Sequence, residues 1–219
     1  MEFERQMAPM KLEHCSLTDL QQHPRNTTGV LMLMPCIDAA QGQRSATLAA
    51  ARAGVDGLLL VVHDTQRVGF VAVANAALRQ TQSPWVGYMA QDALAGRQWL
   101  ALAVRAMEQQ RASLLGFNDG KWHGQLAAFG LARRSWADSV YGGDLFFSGY
   151  QRHYADAELT LVAREQGVYA YEPASVLVEV DWDKDQRAVD AQDRRLFTER
   201  KATGFGGRVH QPGLLSLMG

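Results

Sequence analysis

Short apolar segments alternate with alanine-rich segments through the first half of the chain, and this alternation restricts the possible folds more than any other feature. The apolar runs have the length and composition of strands buried on both faces, and they cover 30–34, 58–62, 85–90 and 113–117. The segments between them have the pattern of helices, over 45–53, 70–78 and 97–110. Strands that alternate with helices are typical of right-handed crossovers in a mainly parallel sheet. The sequence therefore predicts an α/β fold, a Rossmann-like parallel sheet flanked by helices.

The second half of the chain has a different composition. Residues 116–149 are rich in glycine and aromatic side chains, which suits antiparallel strands and pocket-forming loops. A helix is expected over 154–166, and two strand-like runs follow at 168–171 and 176–180. We therefore expect a small antiparallel part in the second half.

Composition divides the chain into three segments. A polar N-terminal segment covers 1–28, with a short helix expected near 12–20. A single folded domain is expected over 29–205, since 219 residues suffice for one sizeable core. The charged residues 181–219 are expected to form a solvated helix and a tail, in which the glycine-rich stretch 204–207 indicates a flexible hinge.

Charge and cysteine content exclude several classes of protein. The chain has 22 Lys+Arg against 23 Asp+Glu and a formal net charge of −1, whereas a general nucleic-acid binder shows a basic excess. Its two cysteines, Cys15 and Cys36, are too few for a disulfide scaffold and indicate a reducing compartment. No apolar run approaches the roughly 20 residues that span a bilayer. We therefore expect a cytoplasmic protein without a nucleic-acid partner or a membrane span.

Acidic residues follow the first three predicted strands. Asp38 comes after the first, Asp64 ends the second and Asp92 ends the third. One such residue is usually a helix cap or a turn residue, but ligands of open parallel sheets bind beyond the carboxyl ends of the strands. Carboxylates gathered there repel each other unless a cation or a donor-rich ligand lies between them. The P-loop, the dinucleotide fingerprint and the nucleophile elbow are all absent from the sequence.

Several segments, in this order, resemble the nucleotide-sugar-dependent glycosyltransferases of the large family-2 kind, which have a GT-A fold. The resemblance runs from Gly29 to about Phe205 and rests on the order and spacing of its motifs. They are the strand end Val61-Val62-His63-Asp64-Thr65, the helix at 69–78, the strand at 85–92 with its reduced Asp-x-Asp motif, Trp99-Leu100, Gly143-Asp144-Leu145-Phe146-Phe147, and Tyr154-Ala155-Asp156-Ala157-Glu158-Leu159.

This resemblance implies a GT-A-like fold with a nucleotide-binding half at 29–117 and an acceptor half at 118–180. It also implies an activity: transfer of a sugar from a nucleoside-diphosphate sugar to a saccharide or lipid-linked saccharide acceptor. The expected reaction is an inverting displacement in the biosynthesis of a surface polysaccharide.

The resemblance further assigns roles to residues of this chain. Asp156 matches the catalytic base, and the dipole of the helix that it opens is expected to favour its ionised form. Asp92 is expected to hold Mn²⁺ or Mg²⁺, with Asp181 or His210 as a further ligand. The residues expected to contact the nucleotide sugar are Pro35, Asp38, Asp64, Asn75, Gln91 and Asp92. Glu158 is expected to face the acceptor. Two further acceptor contacts are expected from the residues themselves: Trp122, whose ring could stack on a sugar, and His153, which lies just before the helix that carries Asp156.

The chain departs from the family pattern at its acidic motifs. Ala90-Gln91-Asp92 keeps only the last acid of the Asp-x-Asp motif, and Ala155 replaces the glutamate before Asp156. A weakened metal site, a metal-independent enzyme and a protein that binds nucleotide sugar without turnover therefore stay open. A sugar nucleotidyltransferase ranks lower, because no glycine- and lysine-rich loop follows the first strand. Asp119, in Asn118-Asp119-Gly120, is interpreted as a turn residue.

Overall fold

The computed structural model describes residues 10–179 and 191–217. In chain order the strands are β1 (Lys11–Ser16), β2 (Arg25–Asn26), β3 (Val30–Cys36), β4 (Gly57–His63), β5 (Thr81–Gln82), β6 (Trp85–Tyr88), β7 (Ala93–Ala95), β8 (Leu114–Asn118), β9 (Gly130–Arg133) and β10 (Tyr169–Glu179). The helices are α1 (Leu17–Gln22), α2 (Ala39–Arg52), α3 (Phe70–Arg79), α4 (Trp99–Gln110), α5 (Arg134–Val140), α6 (Ala155–Glu165), α7 (Ala191–Ala202), α8 (Gly204–Gly207) and α9 (Pro212–Ser216).

The described residues form one eight-stranded sheet in the order β1-β4-β3-β6-β9-β8-β10-β7, and β2 pairs separately with β5. Strands β1, β4, β3 and β6 are parallel neighbours. The antiparallel β9 joins them to β8, which again pairs in parallel with β10. The short β7 closes the sheet antiparallel to the end of β10. The predicted α/β fold and its small antiparallel part are therefore confirmed.

The sheet separates two apolar layers, and the strands alternate between them. On β3, Leu31 and Leu33 belong to the layer that contains α3 and α6, whereas Met32 and Met34 belong to the layer that contains α2 and α4. Both layers are closed to water, so these strands show continuous apolar runs rather than alternation. The sheet is thereby fixed as a rigid support for the loops that follow its strands.

Residues 11–16 of the polar N-terminal segment form a strand of this sheet. The prediction of a helix near 12–20 is wrong for the residues of β1, which pair in parallel with residues 58–63 of β4. Because β1 is an edge strand, it needs little apolar surface. Its side chains are mostly polar, so the sequence has no apolar run there from which a strand could be predicted. A helix does follow as α1, where the Ser16 side chain accepts from the Asp19 N–H.

Two further predictions in the second half need correction. The runs at 168–171 and 176–180 belong, over the described residues, to the single strand β10, whose pairing with β8 shifts at a bulge between Tyr171 and Val176. The glycine-rich stretch 204–207 is not a free hinge, because Phe205 is fully buried and its ring centroid lies 5.4 Å from that of Phe197 on α7. This contact ties the C-terminal helices to the core.

In the part of the chain that the structure describes, no helix has both the length and the apolar character needed to cross a membrane.

Candidate active site

The parallel strands place their carboxyl ends along one edge of the sheet, and this edge carries the candidate site. Asp156 lies in the first turn of α6. The turn is fixed by Thr160, whose hydroxyl donates to the Asp156 carbonyl oxygen at 2.7 Å and accepts from the Ala127 N–H at 3.1 Å. The loop that follows β8 is thereby held against the start of α6.

Asp156 has an unusual environment for an aspartate. The residue is half-buried, and the surrounding protein desolvates the carboxyl and raises the pKa of Asp156 to about 7. The backbone N–H groups of Ala157 and of Asp156 itself lower this pKa, while the nearby charges of Asp119 and Glu179 raise it. The N–H groups of the first turn favour the ionised form, but burial outweighs them, so the net effect on the pKa of Asp156 is a rise.

Asp119 is the residue of this site that the sequence interpretation missed. Its turn role is confirmed, since Oδ1 accepts from the N–H groups of Lys121 at 2.9 Å and Trp122 at 2.8 Å. However, the side chain is only 2% exposed, and Oδ2 is buried with no hydrogen-bond partner among the described residues. The available signal was its position directly after the buried strand β8, the same criterion that singled out Asp64 and Asp92.

Asp92 lies at the same edge of the sheet, in the short segment between β6 and β7. It immediately precedes β7, where Ala93 pairs with Glu179 at the end of β10. The structure thus brings the segment of Asp92 to the segment of Glu179, whose charge acts on Asp156. Asp181, predicted as a further metal ligand, lies outside the described residues.

The turn after β3 is held by Gln91. Its Oε1 accepts from the N–H groups of Ile37 at 2.7 Å and Asp38 at 3.0 Å, and its Nε2 donates to Gln41 Oε1 at 2.9 Å. The exposed Asp38 caps α2 by accepting from the Gln41 N–H, and Pro35 is buried in β3. The structure therefore brings Pro35, Asp38 and Gln91 to one turn, adjoining Asp92.

Two residues predicted to contact the nucleotide sugar, Asp64 and Asn75, are hydrogen-bonded to the protein itself. Both oxygens of Asp64, which is 7% exposed, accept from the N–H groups of Val68 and Gly69 at 2.9 Å and order the loop before α3. Asn75 is 2% exposed and lies within α3. Its amide bonds the backbone of Leu145 and Phe146 three times, at 2.9–3.0 Å. The assignment of Asn75 to the nucleotide sugar is corrected: it joins α3 to the segment before α6.

Glu158 also needs correction as an acceptor contact. Its side chain is 0% exposed. It accepts from the hydroxyls of Tyr141 and Tyr150, both at 2.9 Å, and from two nitrogens of Arg200, at 2.7 and 2.6 Å. A side chain enclosed in this way cannot reach an acceptor without breaking a buried ion pair. The other two predicted acceptor contacts, Trp122 and His153, are half-buried and lie in the loops beside Asp156.

His210 is exposed and lies apart from these residues. Its neighbour Gln211 donates its N–H to Glu165, in the last turn of α6, at 3.2 Å. Since α6 rises about 1.5 Å per residue, that turn is roughly 13 Å along the helix axis from Asp156. The structure therefore does not bring His210 to the site. Across 10–179 and 191–217, no group of three or more His, Cys, Asp or Glu residues could hold a metal ion.

Comparison of the sequence with protein-family models gives no match. Comparison with the sequences of curated proteins gives none either.

Comparison with solved structures gives extensive matches. A mannosyltransferase from Pyrobaculum calidifontis, solved with GDP-mannose and Mn²⁺, matches with a TM-score of 0.65 and 15% identity, covering 92% of this chain and 74% of that one. The glucosyl-3-phosphoglycerate synthase of Mycobacterium tuberculosis, solved with Mg²⁺ and UDP, matches with a TM-score of 0.55 and 12% identity, over 93% and 88%. TarS from S. aureus also matches, with a TM-score of 0.55, 12% identity and coverage of 79% and 39%.

These neighbours have a GT-A-type fold, and two of them, the mannosyltransferase and the glucosyl-3-phosphoglycerate synthase, were solved with a nucleotide sugar or a nucleotide. The chain accordingly has a GT-A-like fold, a mixed α/β architecture with a mostly parallel eight-stranded sheet, helices on both faces and a few antiparallel strands.

Proposed function

We propose that this protein is a glycosyltransferase that moves a hexose from a nucleoside-diphosphate sugar to a hydroxyl group of its acceptor. One observation carries the proposal. At the carboxyl edge of a GT-A-type sheet, the position that the sequence resemblance gives to the catalytic base holds a half-buried aspartate whose pKa is raised to about 7. A general base works best when its pKa lies near the working pH.

The proposed chemistry is an inverting displacement. The acceptor oxygen forms a bond to the anomeric carbon of the sugar as the bond from that carbon to the diphosphate oxygen breaks. Asp156 takes the proton of the acceptor hydroxyl during the attack, and the nucleoside diphosphate leaves with the bonding electrons. Asp119 and Glu179 support this role, since their negative charges disfavour a second nearby anion and so make Asp156 a stronger proton acceptor.

The donor is proposed to bind at the turn after β3. Gln91 holds this turn in place through two backbone N–H groups, which leaves the Asp38 carboxylate exposed beside it. Asp92 adjoins the same turn.

A divalent ion would neutralise charge on the leaving diphosphate. Within 10–179 and 191–217 there is no three-ligand group for it, and the predicted ligand Asp181 lies outside these ranges. Asp92 is proposed to hold the ion, and no step is assigned to it.

The acceptor is proposed to be a saccharide or a lipid-linked saccharide, reached from the loop that contains Trp122 and from His153. The protein is proposed to work in the cytoplasm, in the assembly of a surface polysaccharide. These assignments rest on the sequence resemblance and on the position of both loops beside Asp156.

A second candidate function is a protein that binds nucleotide sugar without turnover. Two observations favour it: only Asp92 remains of the Asp-x-Asp motif, and the described part of the chain has no metal-binding group of three residues. The fold would then supply the nucleotide site, and the acceptor side would be inactive.

Binding and turnover measured together separate the two candidates. Thermal unfolding is followed with UDP and with GDP, each with and without Mn²⁺, because a ligand of the native state raises the midpoint. Release of nucleoside diphosphate is then measured from UDP-glucose and GDP-mannose, with phosphoglyceric acid or mixed oligosaccharides as acceptors. A midpoint shift with turnover supports the transferase, and a shift without turnover supports the binding protein. No shift with any combination contradicts both.

Variants locate the activity. Asp156→Asn should abolish turnover and leave the midpoint shift by nucleotide nearly unchanged, whereas Asp92→Ala should remove any response to Mn²⁺. Asp56→Asn is the matched control, because Asp56 is an exposed aspartate before β4, at the opposite edge of the sheet. Full turnover in Asp156→Asn would refute the assignment of the base.

A further inference from the structure

Helix α7 presents one buried face to the segment that carries Asp156. Asp193, Phe197 and Arg200 are spaced four and three residues apart, so they lie on one side of the helix. Asp193 is 0% exposed, Phe197 is 4% exposed and the Arg200 side chain is 14% exposed, although the helix is strongly charged overall. We call these three residues the inner face of α7.

Asp193 binds three consecutive backbone N–H groups. Its Oδ1 accepts from Gln151 at 2.9 Å, and its Oδ2 accepts from Arg152 at 2.9 Å and from His153 at 2.8 Å. Hydrogen bonds to an ionised acceptor are roughly twice as strong as neutral ones, and three of them offset the cost of burying this carboxylate. The loop 151–153, which leads directly into α6, is therefore fixed by a single side chain.

The same loop is anchored on its other side. The carbonyl oxygen of Gln151 accepts from the Val71 N–H in the first turn of α3, at 3.1 Å. Gly69 has a φ of 99°, and a β-carbon there would lie 2.8 Å from that carbonyl oxygen, so the close approach requires glycine. Loop 151–153 thus lies between α3 and α7 with little freedom to move.

The rest of the inner face holds the residues on both sides of Asp156. Tyr154 adopts a left-handed conformation with φ of 66°, which is uncommon for a residue other than glycine. Its ring stacks on Phe197, with centroids 4.8 Å apart and an angle of 24°. After Asp156, Arg200 binds Glu158 through two nitrogens. The inner face therefore contacts the chain before and after Asp156.

We infer that the inner face of α7, and Asp193 above all, positions Asp156 for proton transfer. This inference rests on the proposed function and adds a positioning residue to it. Asp193 does not touch the reacting atoms; it fixes three backbone groups that determine where α6 begins and where its first carboxyl points. Catalytic geometry is sensitive to displacements of about 1 Å, so a loosened loop should slow the chemical step more than it weakens donor binding.

Asp193→Asn tests the inference with little change in shape. An amide keeps one acceptor oxygen but turns an NH₂ group toward backbone donors. With UDP-glucose or GDP-mannose, whichever the wild-type protein uses, kcat should fall at least about tenfold, while KM for the donor stays within about twofold. Glu199→Gln is the matched control, since it removes one carboxylate from an exposed position on the same helix, and it should leave both constants unchanged.

A second readout does not need turnover. NMR titration of the Asp156 carboxyl should show its pKa falling toward the ordinary aspartate value in Asp193→Asn, because a loosened loop admits water to the carboxyl. A variant that is merely less stable but still folded would leave that pKa unchanged. Thermal unfolding checks that each variant is folded at the assay temperature.

The outcomes separate the inference from the proposed function. A folded Asp193→Asn with wild-type kcat and an unchanged Asp156 titration overturns the inference. Absence of turnover in the wild-type protein counts against the proposed function, and the titration then still tests the inference. If Asp193→Asn does not fold, Phe197→Leu takes its place. It removes the ring beneath Tyr154 and should lower kcat without raising KM for the donor, and unchanged values would overturn the inference.

Discussion

Replacing Asp156 by asparagine should make the protein more stable at neutral pH. Surrounding protein disfavours the ionised carboxyl and raises the pKa of Asp156 from an ordinary 3.8 to about 7. Between these pH values the folded protein keeps a proton that the unfolded chain has released. The stability of the wild-type protein is therefore lost as pH rises from about 4 to about 7, whereas an asparagine at this position does not titrate.

The magnitude follows from the difference between the two values. One pH unit corresponds to about 1.4 kcal/mol, so the rise to about 7 sets an upper limit of about 4 kcal/mol. The residue is only half-buried, and nearby solvent screens the effect. As the pH rises from 4.5 to 8, we therefore expect the free energy of unfolding of Asp156→Asn to increase by about 2 kcal/mol relative to that of the wild-type protein.

Urea denaturation gives the free energy of unfolding of the wild-type protein and of Asp156→Asn at each pH. The gain is the amount by which the difference between the two proteins increases from pH 4.5 to pH 8. Asp56→Asn, at an exposed aspartate, should show almost no change and serves as the control. A difference between Asp156→Asn and the wild-type protein that is the same at both pH values would refute the reasoning, because it would mean that the carboxyl is hydrated as in an unfolded chain.

Three further substitutions test the packing that supports the site, each by urea denaturation. Asn75→Ala should cost about 3 kcal/mol, since it removes three buried hydrogen bonds, and should leave nucleotide binding intact; weakened binding in a folded variant would restore its predicted nucleotide role. Arg200→Met should cost about 3–5 kcal/mol by leaving the Glu158 carboxylate buried without its cation, and adding Glu158→Gln should recover at least about 1 kcal/mol; strictly additive losses would contradict this coupling. Gly69→Ala should cost about 1–3 kcal/mol, because of its φ of 99° and the approach to the Gln151 carbonyl oxygen; a neutral effect would show that the loop can move away.

The fold could be predicted from the sequence where burial on both faces left a clear pattern. The runs that became β3 and β4 are continuous because each face packs against helices. The sequence pattern gave wrong predictions where the local structure depends on contacts with residues far away in the chain. Polar residues could form β1 because its partner β4 supplies the pairing, and nothing local to Phe205 shows that it packs against Phe197.

The residues of the candidate site were predicted from two sources. The rule that ligands bind beyond strand ends singled out Asp38 and Asp92, and the resemblance singled out Asp156. Neither the strand-end rule nor the resemblance could distinguish an exposed side chain from a buried one. Glu158 was expected at the acceptor, but Arg200 and two tyrosines enclose it. The burial of Glu158 depends on Arg200, 42 positions away in the chain, and spacing within one motif does not reveal such a contact.

The pKa of Asp156 could not be predicted for the same reason. A helix terminus alone predicts a lowered pKa. Desolvation raises the pKa, and so do two carboxylates that are close in space but far away in the chain, those of Asp119 and Glu179. Asp119 was recognised as a turn residue, but the effect of its charge on Asp156 requires the three-dimensional arrangement.

The pH dependence of sugar transfer tests the central claim most directly. Nucleoside diphosphate release from UDP-glucose and GDP-mannose is measured from pH 5 to 9 for the wild-type protein and for Asp156→Asn. If Asp156 is the base, the wild-type rate rises about tenfold per pH unit below about 7 and levels off above it. The variant should lose about 10²–10⁴ of that rate and still bind nucleotide. A wild-type rate that does not change with pH, or an Asp156→Asn variant as active as the wild-type protein, would contradict the account.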